Sequence, residues 1–332
     1  MVTIAVDAMG GDHGPRVTVP AVISSLEKHP DLHIQLFGNR AKLDPFLQSS
    51  IASTRLTVIH TDEMVSSGEK TSAALRKRQS SMRLAIDSVR EEKSQAMVSA
   101  GNTGALVAIS RYVLKTMLGI DRPALVGRIP HERGFSYMLD LGANVESDSE
   151  NLHQFAVMGS AFCSALSENK SPKVGLLNIG SEEIKGNEEI RLANATLKES
   201  EILNYIGYVE GDDIYKGLAD VVVTNGFAGN VALKTSEGLV KYVTSIVREA
   251  FNKNWLTRFV GLLAMPILES LYTGFEPHLK NGGVLLGVQG VVVKSHGKSQ
   301  ELAFETAISN AYTLSKNELL HEISDRLDQE LI

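Results

Sequence analysis

A single cysteine, Cys163, in 332 residues excludes an internal disulfide framework. It sits among Ala161, Phe162, Ala165 and Leu166, which reads as a small apolar residue on a helix face in a reducing compartment rather than a nucleophile. Positive charge is in slight deficit: 33 Lys and Arg against 39 Asp and Glu give −6, which argues against nonspecific nucleic-acid binding as the main activity. Long apolar runs are missing too. Phe259 to Leu268 spans ten residues and contains Pro266, whereas a bilayer-spanning helix needs about 20. The first residues lack a basic n-region and an apolar h-region, so the expected location is cytosolic. Aromatic residues make up only 6%, but the 43% hydrophobic fraction is that of an ordinary globular core.

What is present is alternation. Strand-like runs at Thr3–Val6, Leu32–Phe37, Leu56–Ile59, Ala96–Ser99, Ala124–Ile129, Tyr137–Leu141, Lys173–Ile179, Val221–Thr224, Val284–Gly287 and Val291–Lys294 are separated by helical stretches. These stretches are Val17–Lys28, Ser72–Glu91, Thr103–Lys115, Leu152–Ser167, Glu188–Ser200, Val231–Asn252 and Gln300–Leu327. Such spacing predicts βαβ crossovers and an α/β fold with a mostly parallel sheet covered on both faces. Arg128–Pro130 and Phe135–Leu141 predict a local antiparallel hairpin. No linker or repeat divides the chain, so residues 1–332 read as one α/β unit.

Glycine and small polar residues fall directly after strands. The turns are Asp7–Pro15, Ser99–Gly104, Asp140–Asn144, Asn178–Gly186 and Thr224–Asn230. In an open parallel sheet they would collect at the carboxyl edge, where backbone amides and helix N-termini receive anions. Any one of them could be only a tight βα loop; five with Asn, Thr and Lys at their tips point to an anion or cofactor site. No turn has G-x-G-x-x-G spacing with a following acid, and G-x-x-x-x-G-K-[ST] is missing, so ordinary dinucleotide and P-loop binding are disfavoured. His13, His131, His153, His278 and His296 are scattered without metal-ligand spacing, so no metal is expected.

Taken in order, Asp7–Pro15, Ser99–Ala105, Asp140–Asn144, Asn178–Gly186, Gly229–Thr235 and Gly290–Gly297 resemble the phosphate acyltransferase family of bacterial phospholipid synthesis. The motifs span residues 1 to about 300. Departures are small: Gly14 for a usual Ala, Ser181 for a usual Glu, and Lys280-Asn281-Gly282-Gly283 where a Tyr-Asn-Gly-Ala type turn is common. The resemblance implies transfer of a fatty acyl group from acyl carrier protein to inorganic phosphate, without metal or redox cofactor. It also implies a Rossmann-like αβα sandwich of the isopropylmalate-dehydrogenase and phosphotransacetylase type and a homodimer. Peripheral membrane association, possible contact with the downstream membrane glycerol-3-phosphate acyltransferase and no nucleic-acid partner complete the expectation. A decarboxylating dehydrogenase is the rival enzyme, although Asp212-Asp213 and Asp220 are poor substitutes for its clustered metal-binding aspartates. An anion-binding regulatory module is the non-enzymatic alternative.

Phosphate attack on a thioester needs two anions held together and an oxyanion stabilised. No protein nucleophile is required, in line with the missing G-x-S-x-G elbow. With the family motif, Lys185 becomes the first candidate for charge stabilisation, placed in a glycine-flanked loop after a strand. His13 could bind phosphate, donate to the oxyanion, assist proton transfer, or simply brace the turn with Asp12. Gly10, Gly11, Asp12, Asn102, Thr103, Asn144, Gly229, Asn230, Lys294 and His296 complete the candidate phosphate or substrate set, with helix capping the alternative for Asn102, Thr103 and Asn230. Arg76-Lys77-Arg78 is the densest basic stretch, either a docking surface for an acidic carrier protein or a solvated helix face. Residues 251–276 form an apolar helical segment that Pro266 should break. Trp255, Phe259, Leu262 and Leu263 there could serve a core, a dimer interface or a membrane contact, and the lipid product favours the membrane.

Overall fold

The computed structural model describes residues 1–47, 52–264, 282–316 and 319–331. Among these, eleven strands form one sheet: β1 Val2–Asp7, β2 Leu32–Gly38, β3 Leu56–His60, β4 Ala96–Ser99, β5 Ala124–His131, β6 Gly134–Leu139, β7 Lys173–Leu177, β8 Asn204–Val209, β9 Val221–Val223, β10 Gly283–Leu286 and β11 Val291–Lys294. Their order is β3-β2-β1-β4-β11-β10-β5-β6-β9-β7-β8. The pairings are parallel except for β11–β10, β10–β5 and β5–β6. The expected hairpin is the last of these three, with His131 opposite Gly134.

That antiparallel seam changes the expected layout. Three reversals in a row make β6, β9, β7 and β8 run opposite to β1, β2, β3, β4 and β11. The glycine turns therefore do not share one carboxyl edge. Those after β1, β4 and β11 lie at one edge, and those after β6, β7 and β9 lie at the other. Short apolar runs reveal that a strand exists but not its direction, which pairing across the seam decides.

Alternation along the strands sorts the core into two faces. Ile4, Val6, Val98, Val291 and Val293 point to one continuous layer built from helices Pro15–Lys28, Ser149–Leu166, Glu301–Lys316 and Leu319–Leu331. On the other face, Ala5, Met97 and Val292 pack under helices Ser81–Arg90 and Thr103–Leu114, and Met138 and Val222 pack near the start of the long helix Gly226–Asn252. Cys163 is buried in the first layer, and burial pushes its thiol up to about 11, as befits an inert core residue.

Several expected elements divide. The expected 72–91 helix is two, Thr71–Ala74 and Ser81–Arg90, because Ser80 caps the second by accepting from the Arg83 amide. The expected 300–327 helix becomes Glu301–Lys316 and Leu319–Leu331. Strand β8, with its half-exposed Asn204-Tyr205-Ile206-Gly207 start, falls where no strand was expected. Pro266, with the rest of the apolar segment from residue 265 to 276, and Lys280 and Asn281 lie outside the described residues.

The helix that follows β9 is seated by glycine. A Cβ on Gly226 would stand 1.9 Å from the Asn144 carbonyl oxygen, and one on Gly229 would stand 1.9 Å from that of Asp140. The helix can approach the Asp140 turn only without side chains at these two positions. Gly229→Ala should therefore cost about 2 kcal/mol or more, as overpacking against fixed backbone does, and lower the urea midpoint. An unchanged midpoint would mean that the helix shifts freely and that the contact sets nothing.

Candidate active site

At the first edge, three turns are stitched together by backbone. The Asp12 amide donates to the Gly297 carbonyl at 2.8 Å and the Ser295 amide to the Ser99 carbonyl at 2.9 Å. Gly10 is required here, because a Cβ would stand 2.7 Å from both Asp7 Oδ2 and the Gly101 nitrogen. Beneath these turns lies the buried Asp7 carboxylate, which accepts from Ser81 Oγ and Ser99 Oγ, each at 2.6 Å, and from the Met9 amide at 3.2 Å. Burial raises its pKa, while these bonds favour the ionised form and pull the other way.

Lys294 closes β11 and is buried, its ammonium donating to the Ser295 carbonyl and to that of Ala100 at 3.5 Å. Burial, assisted by the nearby Lys234 charge, pushes its pKa down to about 8, and Asp7 and Asp12 oppose that shift. Lys234 projects from the long helix to lie 3.3 Å from His296 Nε2 and 3.0 Å from Glu237 Oε2. Burial first and Lys234 second lower the His296 pKa. The structure thus brings Gly10, Gly11, Asp12, Lys294 and His296 together and adds Asp7 and Lys234, which sequence reasoning did not single out. His13 is exposed on the same turn. The signal for Lys234 was its i,i+4 spacing from Asn230, which places both on one helix face.

Asn102 is a brace. Its Oδ1 accepts from the Ala105 amide at 3.0 Å, capping helix Thr103–Leu114, while its Nδ2 donates to the Ser67 and Glu69 carbonyls at 2.7 and 3.3 Å. Thr103 follows in the first turn of that helix, half-buried. Lys77 fastens the same loop, with its ammonium 2.8 Å from Glu69 Oε2 and from the Met64 carbonyl. Of the basic triplet only Arg76 and Arg78 are exposed, and Lys77 is half-buried.

The second edge is organised by Asp140. Its carboxylate accepts from the Leu125, Gly142, Ala143 and Asn144 amides and from Asn144 Nδ2, at 2.7 to 3.0 Å. Asn144 Nδ2 also donates to the Pro123 carbonyl at 2.8 Å, so this side chain holds the turn. Asn230 Nδ2 donates to the Leu141 carbonyl at 3.2 Å, tying the long helix to the same turn. Asn225, not Asn230, caps that helix. Lys185 lies on the loop after β7, exposed, with its stem against Gly180 and no bond or ion pair of its ammonium among the described residues. It is not joined to the Lys294 cluster. Trp255, Phe259, Leu262 and Leu263 lie in a helical stretch over 255–264, each 58–76% exposed, so none belongs to the core of the chain.

Among the described residues no group of His, Cys, Asp and Glu could hold a metal ion. The site offers cations at a glycine-lined edge, which suits a phosphate or another oxyanion.

A sequence profile of the family described as "Fatty acid synthesis protein" matches residues 2–321. A phosphate acyltransferase of Nitrosococcus oceani is 51% identical over 330 residues, covering 98% of this chain and 97% of that protein. One from Legionella pneumophila is 48% identical, covering 98% and 96%. Among solved structures, a phosphotransacetylase from Streptococcus pyogenes superimposes with a TM-score of 0.62 at 16% identity, over 96% of this chain and 94% of that one, a likeness of fold.

The depressed Lys294 pKa has a measurable consequence. Below pH 8 both the folded and the unfolded chain hold this proton, and the fold bears the full cost of burying the charge. Above it the folded chain gives the proton up, whereas the unfolded chain keeps it to about 10.5. Stability should therefore rise with pH between about 8 and 10. Relative to Lys294→Met, the parent should gain on the order of 2 kcal/mol across that window in paired urea melts. A constant difference between the two would show that Lys294 titrates as an ordinary lysine.

Proposed function

The chain belongs to the phosphate acyltransferase family, and from that premise we propose its donor, its working residues and its surfaces. It is an acyltransferase that moves a fatty acyl group onto inorganic phosphate for phospholipid synthesis. We infer that the donor is acyl carrier protein and that the whole chain acts as one catalytic unit, a reading supported by the continuous eleven-stranded sheet. The proposal rests chiefly on one observation: buried Lys294, with Lys234 and His296 beside it, stands over the Gly10-Gly11 and Ala100-Gly101 turns.

The chemistry follows from charge. Inorganic phosphate has its second pKa close to neutrality, above that of a phosphorylated side chain, so a substantial share is the dianion at neutral pH. One of its oxygens bonds the thioester carbon, the carbonyl electrons move to an oxyanion, and their return expels the thiolate. The proton that phosphate carries passes to the thiolate, whose conjugate thiol has a pKa near 8.5. Lys294 and Lys234 hold the dianion over the Gly10-Gly11 turn, with His13, His296 and Thr103 at the rim. The exposed ammonium of Lys185 supplies charge to the acyl side. Asp12, Asn102, Asn144, Gly229 and Asn230 shape the two edges.

Arg76 and Arg78, with Lys77 fixing their loop, form the proposed carrier-protein surface. The exposed apolar side chains Trp255, Phe259, Leu262 and Leu263 are proposed to lie on the membrane, where the product and the downstream glycerol-3-phosphate acyltransferase are, as part of a peripherally bound homodimer. Among the described residues no helix is long and apolar enough to cross a bilayer.

Incubation with palmitoyl-loaded carrier protein and phosphate should yield acyl phosphate without NAD or metal. Metal-dependent NAD reduction with a hydroxy acid would instead support a dehydrogenase, and binding without turnover a regulatory module. Lys185→Ala should lose at least about tenfold in kcat with a melting temperature near the parent's. Near-normal rates at saturating substrates would make Lys185 a surface residue. His13→Gln should cost less, since an amide still donates one hydrogen bond.

Leu263→Glu tests the membrane surface. It should reduce liposome sedimentation several-fold while leaving melting temperature and soluble activity near the parent's, because only the membrane strips water from the new charge. Undiminished liposome binding would remove Leu263 from the membrane contact, and a dissociated dimer would place it in the subunit interface.

A further inference from the structure

The register of three neighbouring strands contains a row that glycine-turn motifs do not reveal. Asp7 pairs with Ser99, and Ser99 with Lys294, so the last residues of β1, β4 and β11 stand side by side. Two residues earlier the same register aligns Ala5, Met97 and Val292, all buried in the apolar cluster under helices Ser81–Arg90 and Thr103–Leu114. Period-two alternation puts both rows on one face of the sheet. An apolar row is thus followed, one pleat nearer the edge, by a carboxylate, a hydroxyl and an amine, all three buried. Ser99 Oγ bonds Asp7 Oδ2 and also accepts from the Gly101 amide at 3.0 Å, so the row is connected to the turn that forms the site.

We propose that Asp7 is a positioning residue of the acyl-transfer reaction, whose buried carboxylate keeps Lys294 protonated for phosphate while it fixes the Gly10-Gly11 and Gly101 turns. A buried lysine tends to shed its charge, and a fixed negative group on the same row opposes that. The charged and titratable groups that bear on Lys294 are Lys234 from the long helix, Asp12 from the β1 turn, His296 from the β11 turn and Asp7 itself. Lys234 works against the Lys294 charge; Asp7 and Asp12 support it. Of the two acids only Asp7 is buried and held by two serine hydroxyls, so its effect is screened little by solvent. A dianion arriving beside Lys294 would raise that lysine's pKa further, so the empty site needs only to hold the proton until phosphate binds.

The proposal rests on Lys294 as a phosphate ligand, and the test separates the two. For the full-length parent, kcat/KM for inorganic phosphate is measured from pH 6 to 10 with saturating acyl donor. It should fall on an alkaline limb near pH 8. In Asp7→Asn the limb should move about one unit lower, with a several-fold higher phosphate KM at pH 8 and a smaller change in kcat. A purely structural role would lower the melting temperature and the active fraction but leave the limb in place, and that result would overturn the proposal. A parent with no alkaline limb would overturn the placement of phosphate on Lys294 and the proposal with it. Should Asp7→Asn fail to fold, Ser99→Ala serves. It removes a bond that favours ionised Asp7 while keeping the carboxylate in place, so its limb should move in the same direction by less. A folded Ser99→Ala enzyme with an unmoved limb would overturn the proposal equally.

Discussion

The antiparallel seam β11-β10-β5-β6 is the constraint on which the rest of the molecule depends. Because it reverses the strand direction in mid-sheet, the two sets of glycine turns face opposite edges, and no crossover can bring them together. Beyond the shared sheet and core, a helix long enough to cross a face links the two edges. Gly226–Asn252 starts against the Asp140 turn at one edge, and by its third turn Lys234 has reached His296 at the other. Eight residues of helix rise about 12 Å, which is the length of a four-residue strand.

Each edge is built around one buried carboxylate at or just beyond the end of a strand. Asp140 gathers backbone amides and so fixes a turn; Asp7 gathers serine hydroxyls and so fixes the relation of a turn to a neighbouring strand and helix. Burial of such acids is costly unless their oxygens are satisfied, and here every oxygen is. The glycines are as much a consequence as a cause. Gly10 avoids Asp7 and Gly101, Gly226 avoids Asn144, and Gly229 avoids Asp140. Several residues that a motif would mark as ligand-binding are therefore explained by the close approach of backbone to backbone.

The electrostatic character of the site fits a reaction between anions. Lys294 and Lys234 concentrate positive charge at this edge, on a chain that is acidic overall. Burial strengthens the interaction of Lys294 with an anion, at the expense of a proton that is easily lost.

The sequence by itself determined the α/β class, most strand positions and the glycine turns, because period-two and period-3.6 patterns and local turn chemistry are written in neighbouring residues. It placed Lys294 and His296 at a strand end for the same reason; the family came from the resemblance of its ordered motifs. It could not orient the strands. Direction across β10 and β5 depends on pairings between residues more than a hundred positions apart, such as Val284 with Val126. It could not tell Asn102 and Asn144, occupied as braces, from Lys185, which is exposed, since all three are polar tips of similar turns. Nor could it pick out Asp7, whose significance comes from standing in register with Ser99 and Lys294. Register is a relation between strands, and only the tertiary structure sets it.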